Sequence, residues 1–490
     1  MKKELKQLGK ETAIYGISTI IGRFLNFLLV PFFTNIFTQA EYGIITNVYA
    51  YIAFFNIIYL YGMDSAYLKF ASTQELGNEK QTFSTAFNSV IITSFVLSVL
   101  ILLFRDSLAV LFGLSDNLKQ IVYFVSGILF FDAISNVIFA RLRFHNKALR
   151  FATFKLINIF SNILLNIVAI FIWKLGSISV FLAGFGSSLI TFLLLIPDFI
   201  KSYQFKIERS LLRGLMKFGL PFVPSGLASI VTQVIDRPIL MALTNASTVG
   251  VYQANYKLGI FMMLFVSMFQ YAWQPFYLKQ SLKENAKELF SKVFTYFTLF
   301  SSAIFIVLTL FIEDIVRIKI FGFYLIGKNF WGGLYIVPVV LLAYVFNGFY
   351  INFLAGIQIQ KKTQYMPLVS GLGAIVNVVS NFLLIPLWGM LGAAYATLLA
   401  YLSMAISQYF LSQKFYKIHY EWKNIFLIGL SVILSYGLFY IMSDLKIINI
   451  YLIKILSILL FITLLVLFHL IEIKWLKEFF QFLTKKIDIT

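Results

Sequence analysis

Apolar runs of about twenty residues recur along this chain from Thr12 to Leu470, separated by short polar segments. Coiled as a helix, a run of that length crosses the roughly 30 Å hydrocarbon core of a bilayer. Lipid offers no hydrogen-bond partners to the backbone, so a spanning segment must satisfy its own N–H and C=O groups and become helical. Composition agrees: 60% of the 490 residues are hydrophobic and 12% charged, against about 25% charged in a soluble domain. The pattern predicts an all-α polytopic membrane protein.

Fourteen spans are expected, near 12–37, 44–68, 82–104, 120–140, 153–173, 178–200, 217–243, 249–274, 290–312, 331–355, 364–387, 391–411, 424–442 and 449–470. Loop charge tests this number. With the N-terminus inside, 29 lysines and arginines fall in inner segments and 7 in outer ones. A missed or extra span would invert that bias from its position onward. The expected topology has both termini cytoplasmic. The net charge of +19 is then the positive-inside signature, and no nucleic-acid partner is expected. The first eleven residues, seven of them charged or polar, lead straight into a 26-residue run, which reads as a retained helix rather than a signal peptide.

An internal repeat emerges on shifting the chain by 207 residues. Ser18 then meets Ser225, Pro31 meets Pro238, Gly43 meets Gly250, Tyr49 meets Tyr256 and Phe54 meets Phe261. Farther along, Asn166 is matched to Asn377. Transporter folds often contain such repeats. The expected architecture is two six-helix bundles around a central cavity, 1–205 (spans 1–6) and 206–415 (spans 7–12). Spans 13 and 14 with a cytoplasmic tail occupy 416–490.

Ionisable residues inside spans are costly and therefore informative. Arg23 lies in span 1, on a face shared with Thr12, Tyr15, Thr19 and Asn26. Asp132 lies in span 4, Asp236 and Arg237 in span 7, and Lys257 in span 8. Span 7 also carries a ladder of Ser225, Ser229, Gln233 and Arg237, and prolines at 221, 224 and 238. Proline removes a backbone donor and kinks a helix, and broken helices line transporter cavities. Three cations against two deep acids make a net positive cavity if all face inward, which suits an anion. The competing reading of Asp236–Arg237 is an ion pair that packs a kink. Lys454 is expected to snorkel to the outer surface. Asn158, Asn162 and Asn166, and Asn377 and Asn381, are adequately explained as interhelical hydrogen bonds. Asn47, Asn56, Gln253, Asn255, Gln270 and Gln274 can extend a hydrophilic cavity.

No cofactor or metal site is expected. The chain has no cysteine, and His145, His419 and His469 lie far apart. No phosphate loop or paired carboxylates mark an enzyme. Glu313, Asp314 and Arg317 are the only nearby candidates for a catalytic outer-loop cluster, and such a role for them is disfavoured.

At spans 1 and 2 the sequence resembles a known family. Gly22-Arg23, then Phe24-Leu25-Asn26-Phe27, Pro31, and Glu41-Tyr42-Gly43 resemble the polysaccharide-transporter branch of the multidrug/oligosaccharidyl-lipid/polysaccharide (MOP) exporter superfamily. The match is closest to Wzx-like O-antigen repeat-unit flippases. The resemblance implies a V-shaped pair of bundles that moves an undecaprenyl-diphosphate-linked oligosaccharide across the membrane by alternating access. Its cationic lumen would suit the diphosphate, and Arg23 falls at the family's Gly-Arg position. A polysaccharide polymerase and chain-length proteins are the implied partners besides substrate and bilayer. From charge and position, Arg237 and Lys257 are expected at the diphosphate with Asn26 and Gln233 in the cavity. Asp236 is expected to orient Arg237, Asp132 to take part in coupling, and Pro221, Pro224 and Pro238 to act as hinges. H+ or Na+ coupling stays open. The alternatives are a multidrug or small-solute antiporter, and a membrane polysaccharide polymerase or assembly scaffold.

Overall fold

The computed structural model describes Gly22, Phe24, Leu25, and residues 27–204, 207–445 and 449–471. Arg23, Asn26 and most of span 1 lie outside the described residues, as does the tail beyond 471. Among the described residues, thirteen helical stretches are long and apolar enough to cross a membrane. They coincide one for one with spans 2–14. A short helix, α1 (Leu29–Ile36), forms the end of span 1.

Local chemistry sets the helix ends. Thr38 starts α2 (Gln39–Leu60) with a capping box. Its hydroxyl accepts from the Glu41 N–H, and its own N–H donates to the Glu41 carboxylate, satisfying two orphan donors. α2 stops where Tyr61 and Gly62 turn left-handed, at φ 34° and 73°. Glycine adopts that conformation without steric cost. The chain resumes as α3 (Met63–Thr73). There follow α4 (Glu79–Leu103), α5 (Arg105–Phe112), α6 (Ile121–Phe144), α7 (Ala148–Ile167) and α8 (Ile178–Ile200). Span 7 comprises α9 (Arg209–Gly219), α10 (Phe222–Val234) and α11 (Asp236–Leu243), and span 8 comprises α12 (Ala246–Tyr256) and α13 (Ile260–Gln280). The rest are α14 (Ala286–Arg317), a hairpin of β1 (Lys319–Ile320) with β2 (Phe323–Tyr324), a 3-10 segment (Lys328–Ile336), α15 (Val337–Ile359), α16 (Met366–Trp388), α17 (Met390–Phe415), α18 (Trp422–Leu445) and α19 (Ile450–Leu467).

Packing divides the chain into two compact units that interleave in sequence. The first holds residues up to Leu258, Lys319–Ile336 and Tyr365–Ala400; the second holds Gly259–Ile318, Val337–Gln364 and Tyr401 onward. In the first unit α6 packs against α4 and α8, and α7 packs against α8, around buried Tyr59, Tyr67, Phe83 and Phe181. In the second, Phe294 of α14 meets the rings of Phe349, Phe353 and Tyr420 at 4.8, 4.9 and 5.1 Å. Farther along α14, Leu299, Ile306 and Leu310 pack with Ile428 of α18 and with Phe461 and Leu465 of α19.

Lys454 does not snorkel. It is buried, ion-paired with Asp314 of α14, and lies over the rings of Phe311 and Tyr451. The Tyr451 hydroxyl donates to the same carboxylate at 3.1 Å. Pairing with a carboxylate 140 residues away removes the need to reach water, and it gives Asp314 a packing partner rather than a reactant.

Candidate functional site

Span 7 breaks where proline removes helical donors. Pro238 has no N–H for the carbonyl of Val234, so α10 ends at Val234 and α11 begins at Asp236. Pro221 sits at the N-cap of α10, with Pro224 in its first turn, and divides α10 from α9.

The break presents Asp236 and Arg237 to α12, which packs against α11. Asp236 is buried. One carboxylate oxygen accepts from the Arg237 backbone N–H at 3.0 Å, and the other from the Tyr252 hydroxyl at 2.6 Å. The Arg237 Nε lies 3.9 Å from the first of these oxygens and donates to the Gln253 side-chain oxygen at 2.6 Å. Its guanidinium stands 6.0 Å from the Tyr256 ring centre, within cation–π range. Thr397 of α17 hydrogen-bonds to Tyr252.

Lys257 follows Gln253 by one helical turn, where α12 gives way to a 3-10 turn over 257–259. It is half-buried and within electrostatic reach of Arg237. It has no hydrogen-bond or ion-pair partner among the described residues. Two cations thus share one carboxylate among the described residues here, a surplus of positive charge at two adjacent helix breaks. Gln233 is exposed one turn before Arg237, and its amide folds back on Ser229 at 3.1 Å.

Asp132 occupies a different place. It accepts from Ser188 of α8 at 2.7 Å, with Tyr49 and Lys155 within electrostatic reach. Lys155 rests 4.3 Å from the Phe139 ring centre. No hydrogen bond or ion pair among the described residues joins Asp132 to Asp236. The asparagines of span 5 fasten α7 to α8: Asn158 donates to the Ser187 carbonyl at 3.1 Å and the Thr191 hydroxyl at 2.8 Å, and Asn162 donates to the Ser187 hydroxyl at 3.3 Å. The Asn166 amide donates back to Asn162, as the Asn381 amide does to Asn377. Each of these amides bonds one turn back along its own helix, a local pattern that spans 5 and 11 share.

Among the candidate cavity amides, Asn47 is tied to the Phe112 carbonyl at 3.0 Å and Asn255 to the Phe330 carbonyl at 2.8 Å, so both serve packing. Gln253 proves to be a partner of Arg237. Tyr252 and Ser188 carried no sequence signal beyond their spacing. Once Asp236 is set against α12, the adjacent pair Tyr252-Gln253 one turn before Tyr256 and Lys257 is the trace of an α12 face turned to α11.

A family model described as polysaccharide biosynthesis protein matches residues 8–280. This chain belongs to the polysaccharide biosynthesis protein family. A search of curated proteins returns no match. Among solved structures, the fold is similar to the lipid II flippase MurJ in an inward closed conformation, with a TM-score of 0.74 and 18% identity over 93% of this chain and 99% of that one. It is also similar to an inward-facing multidrug resistance MATE family transporter of the MOP superfamily (TM-score 0.61, 14% identity, 81% and 97% covered). A third is the Vibrio cholerae MATE transporter VcmN in its bent form (TM-score 0.56, 13% identity, 84% and 96% covered). The fold is similar to that of these transporters, in line with the resemblance carried by the motifs of spans 1 and 2.

Proposed function

We propose that this chain is a flippase that carries undecaprenyl-diphosphate-linked oligosaccharide repeat units across the bacterial inner membrane for O-antigen, capsule or exopolysaccharide assembly. The observation that carries this reading is the surplus of half-buried positive charge at the broken helices of spans 7 and 8. Arg237 is held in place by Gln253 and Asp236, while Lys257 has no described partner. A diphosphate would supply the missing anion, and a guanidinium suits phosphate oxygens by its planar donor geometry. Family membership and the likeness to a lipid II flippase support a lipid-linked substrate. In this reading Arg23 is assigned to the site on the strength of its Gly-Arg motif, and Asn26 and Gln233 are assigned to the same cavity.

In this reading the halves 1–205 and 206–415 rock about the site, with hinges at Pro221, Pro224 and Pro238. Asp132 takes part in coupling, both termini are cytoplasmic, and a polymerase and chain-length proteins act downstream. Deleting the gene should leave single lipid-linked units on the inner leaflet. Arg23→Ala should reproduce that block at normal protein level, and Arg237→Ala should reproduce it when expressed to the parent level. Normal surface glycan in both variants would reject the site. Drug sensitivity without a glycan defect would favour the multidrug antiporter reading that the MATE-like fold also accommodates. Unpolymerised units accumulating on the outer leaflet would favour a polymerase.

A further inference from the structure

The repeat identified in the sequence returns in the first unit as a physical contact. α2 and α12 cross at the face that the charge bias assigns to the outside, and they cross at Gly43 and Gly250, two residues that the 207-residue shift makes equivalent. The contact is reciprocal. A Cβ on Gly43 would lie 1.8 Å from the Ala246 carbonyl oxygen and 2.9 Å from the Gly250 nitrogen. A Cβ on Gly250 would lie 2.0 Å from the Gln39 carbonyl oxygen and 3.0 Å from the Gly43 nitrogen. Gln39 and Ala246 are again 207 apart, as are the helix caps Thr38 and Asn245, which accept from the N–H groups of Glu41 and Thr248. Residue i meets residue j and j meets i, the pattern of a two-fold contact. A local pseudo-two-fold axis therefore passes between the two glycines.

This crossing is backbone against backbone. Small residues let membrane helices approach closely, without interlocked side chains. A strap formed by residues 319–336 covers it. Asn35 donates to the Tyr324 carbonyl at 2.7 Å and accepts from the Tyr324 N–H at 3.2 Å. Thr34 accepts from the Gly327 N–H at 3.0 Å, and Asn255 of α12 donates to the Phe330 carbonyl. The strap thus grips the α1–α2 turn and α12 alike.

We propose that the Gly43–Gly250 crossing is a separable outer seal, closed by glycine packing, latched by the 319–336 strap, and parted when substrate leaves toward the outside. The proposal rests on the transport reading for the step it serves, but the seal itself is tested without transport.

The absence of cysteine in the chain allows a clean accessibility assay. Thr46, buried one turn inside Gly43 and bonded to the Gly43 carbonyl, is replaced by cysteine, and an impermeant maleimide is applied to the outside of intact cells. Labelling should be slow in T46C alone. Adding Gly250→Ala or Gly43→Ala puts a methyl against rigid backbone and forbids closure. If the open form is normally a minor state of up to about 10%, labelling should quicken about tenfold or more. Gly371→Ala, where an added Cβ meets nothing within 4 Å, should not change the rate. Asn35→Ala, which only loosens the strap, should give an intermediate rate and covers the case in which a glycine variant fails to reach the membrane. Labelling that stays slow in the folded glycine variants, or stays at the parent rate in N35A, overturns the seal. Fast labelling with undisturbed surface glycan keeps the seal and sinks the transport reading instead.

Discussion

Two acids in the membrane spans of the first unit invite comparison. Asp236 is buried and surrounded by donors: the Arg237 backbone N–H, the Tyr252 hydroxyl and, at longer range, the Arg237 side chain. Asp132 accepts from one neutral hydroxyl, that of Ser188, with Lys155 as the nearby cation. Both are aspartates near the middle of a predicted span, but their surroundings differ. Asp236 is fixed in place by a network it shares with Arg237, as the proposed orienting role requires. Asp132 is held by a contact that its amide analogue could also make, so its charge is the dispensable part as far as folding is concerned.

The largest effect should come from breaking the first network. Arg237→Ala leaves a buried carboxylate without its cation, a loss of about 3–5 kcal/mol in comparable pairs. Thermal unfolding in detergent should show a marked fall, and surface glycan should disappear. The paired change D236N/R237Q should restore part of the stability but none of the glycan. Equal instability in single and double variants would deny that the two side chains act as a pair.

Tyr252→Phe comes next, since it deletes one hydrogen bond to a charged group, worth about 1.5–3 kcal/mol. If it unfolds at the parent temperature, Asp236 does not depend on α12 for its placement. Asp132→Asn should cost less, about 1 kcal/mol or below, because Ser188 can still donate to the amide oxygen. Its glycan output should nevertheless fall, as the proposed coupling role requires. Destabilisation as large as that of Asp236→Asn would erase the contrast. Smallest in stability is Lys257→Gln. With no described partner to lose, its melting temperature should hardly move, while repeat-unit transfer weakens. A large drop in melting temperature would mean that Lys257 is a packing residue.

Much of the fold was legible in the chain because a bilayer leaves few choices. Thirteen predicted spans reappear as helices with modest changes at their ends, since length and hydropathy alone decide whether a segment can cross. Span 7 was legible as broken, because Pro221 and Pro238 remove donors wherever the helix happens to pack. Its amphipathic start was not read. α9 buries Leu211 and Leu215 and exposes Arg209, Arg213 and Lys217, and hydropathy averaged over a span hides such a face. The site was legible as a set of expensive charges but not as a set of partners. Gln253 looked like one amide among six until α12 brought it to Arg237. Lys454 looked like a snorkelling lysine until α14 supplied Asp314.

The sequence by itself determined the class of molecule, the number of spans and which residues are too costly to sit in lipid, because these follow from local chemistry between a segment and its solvent. It also contained the 207-residue repeat. Only the tertiary structure decided that Gly43 and Gly250 touch and that Asp132 and Asp236 belong to separate networks. Each is a contact between segments distant in the chain. Such contacts depend on how helix faces meet, and a rotation of one helical position, about 100°, is enough to change the partner.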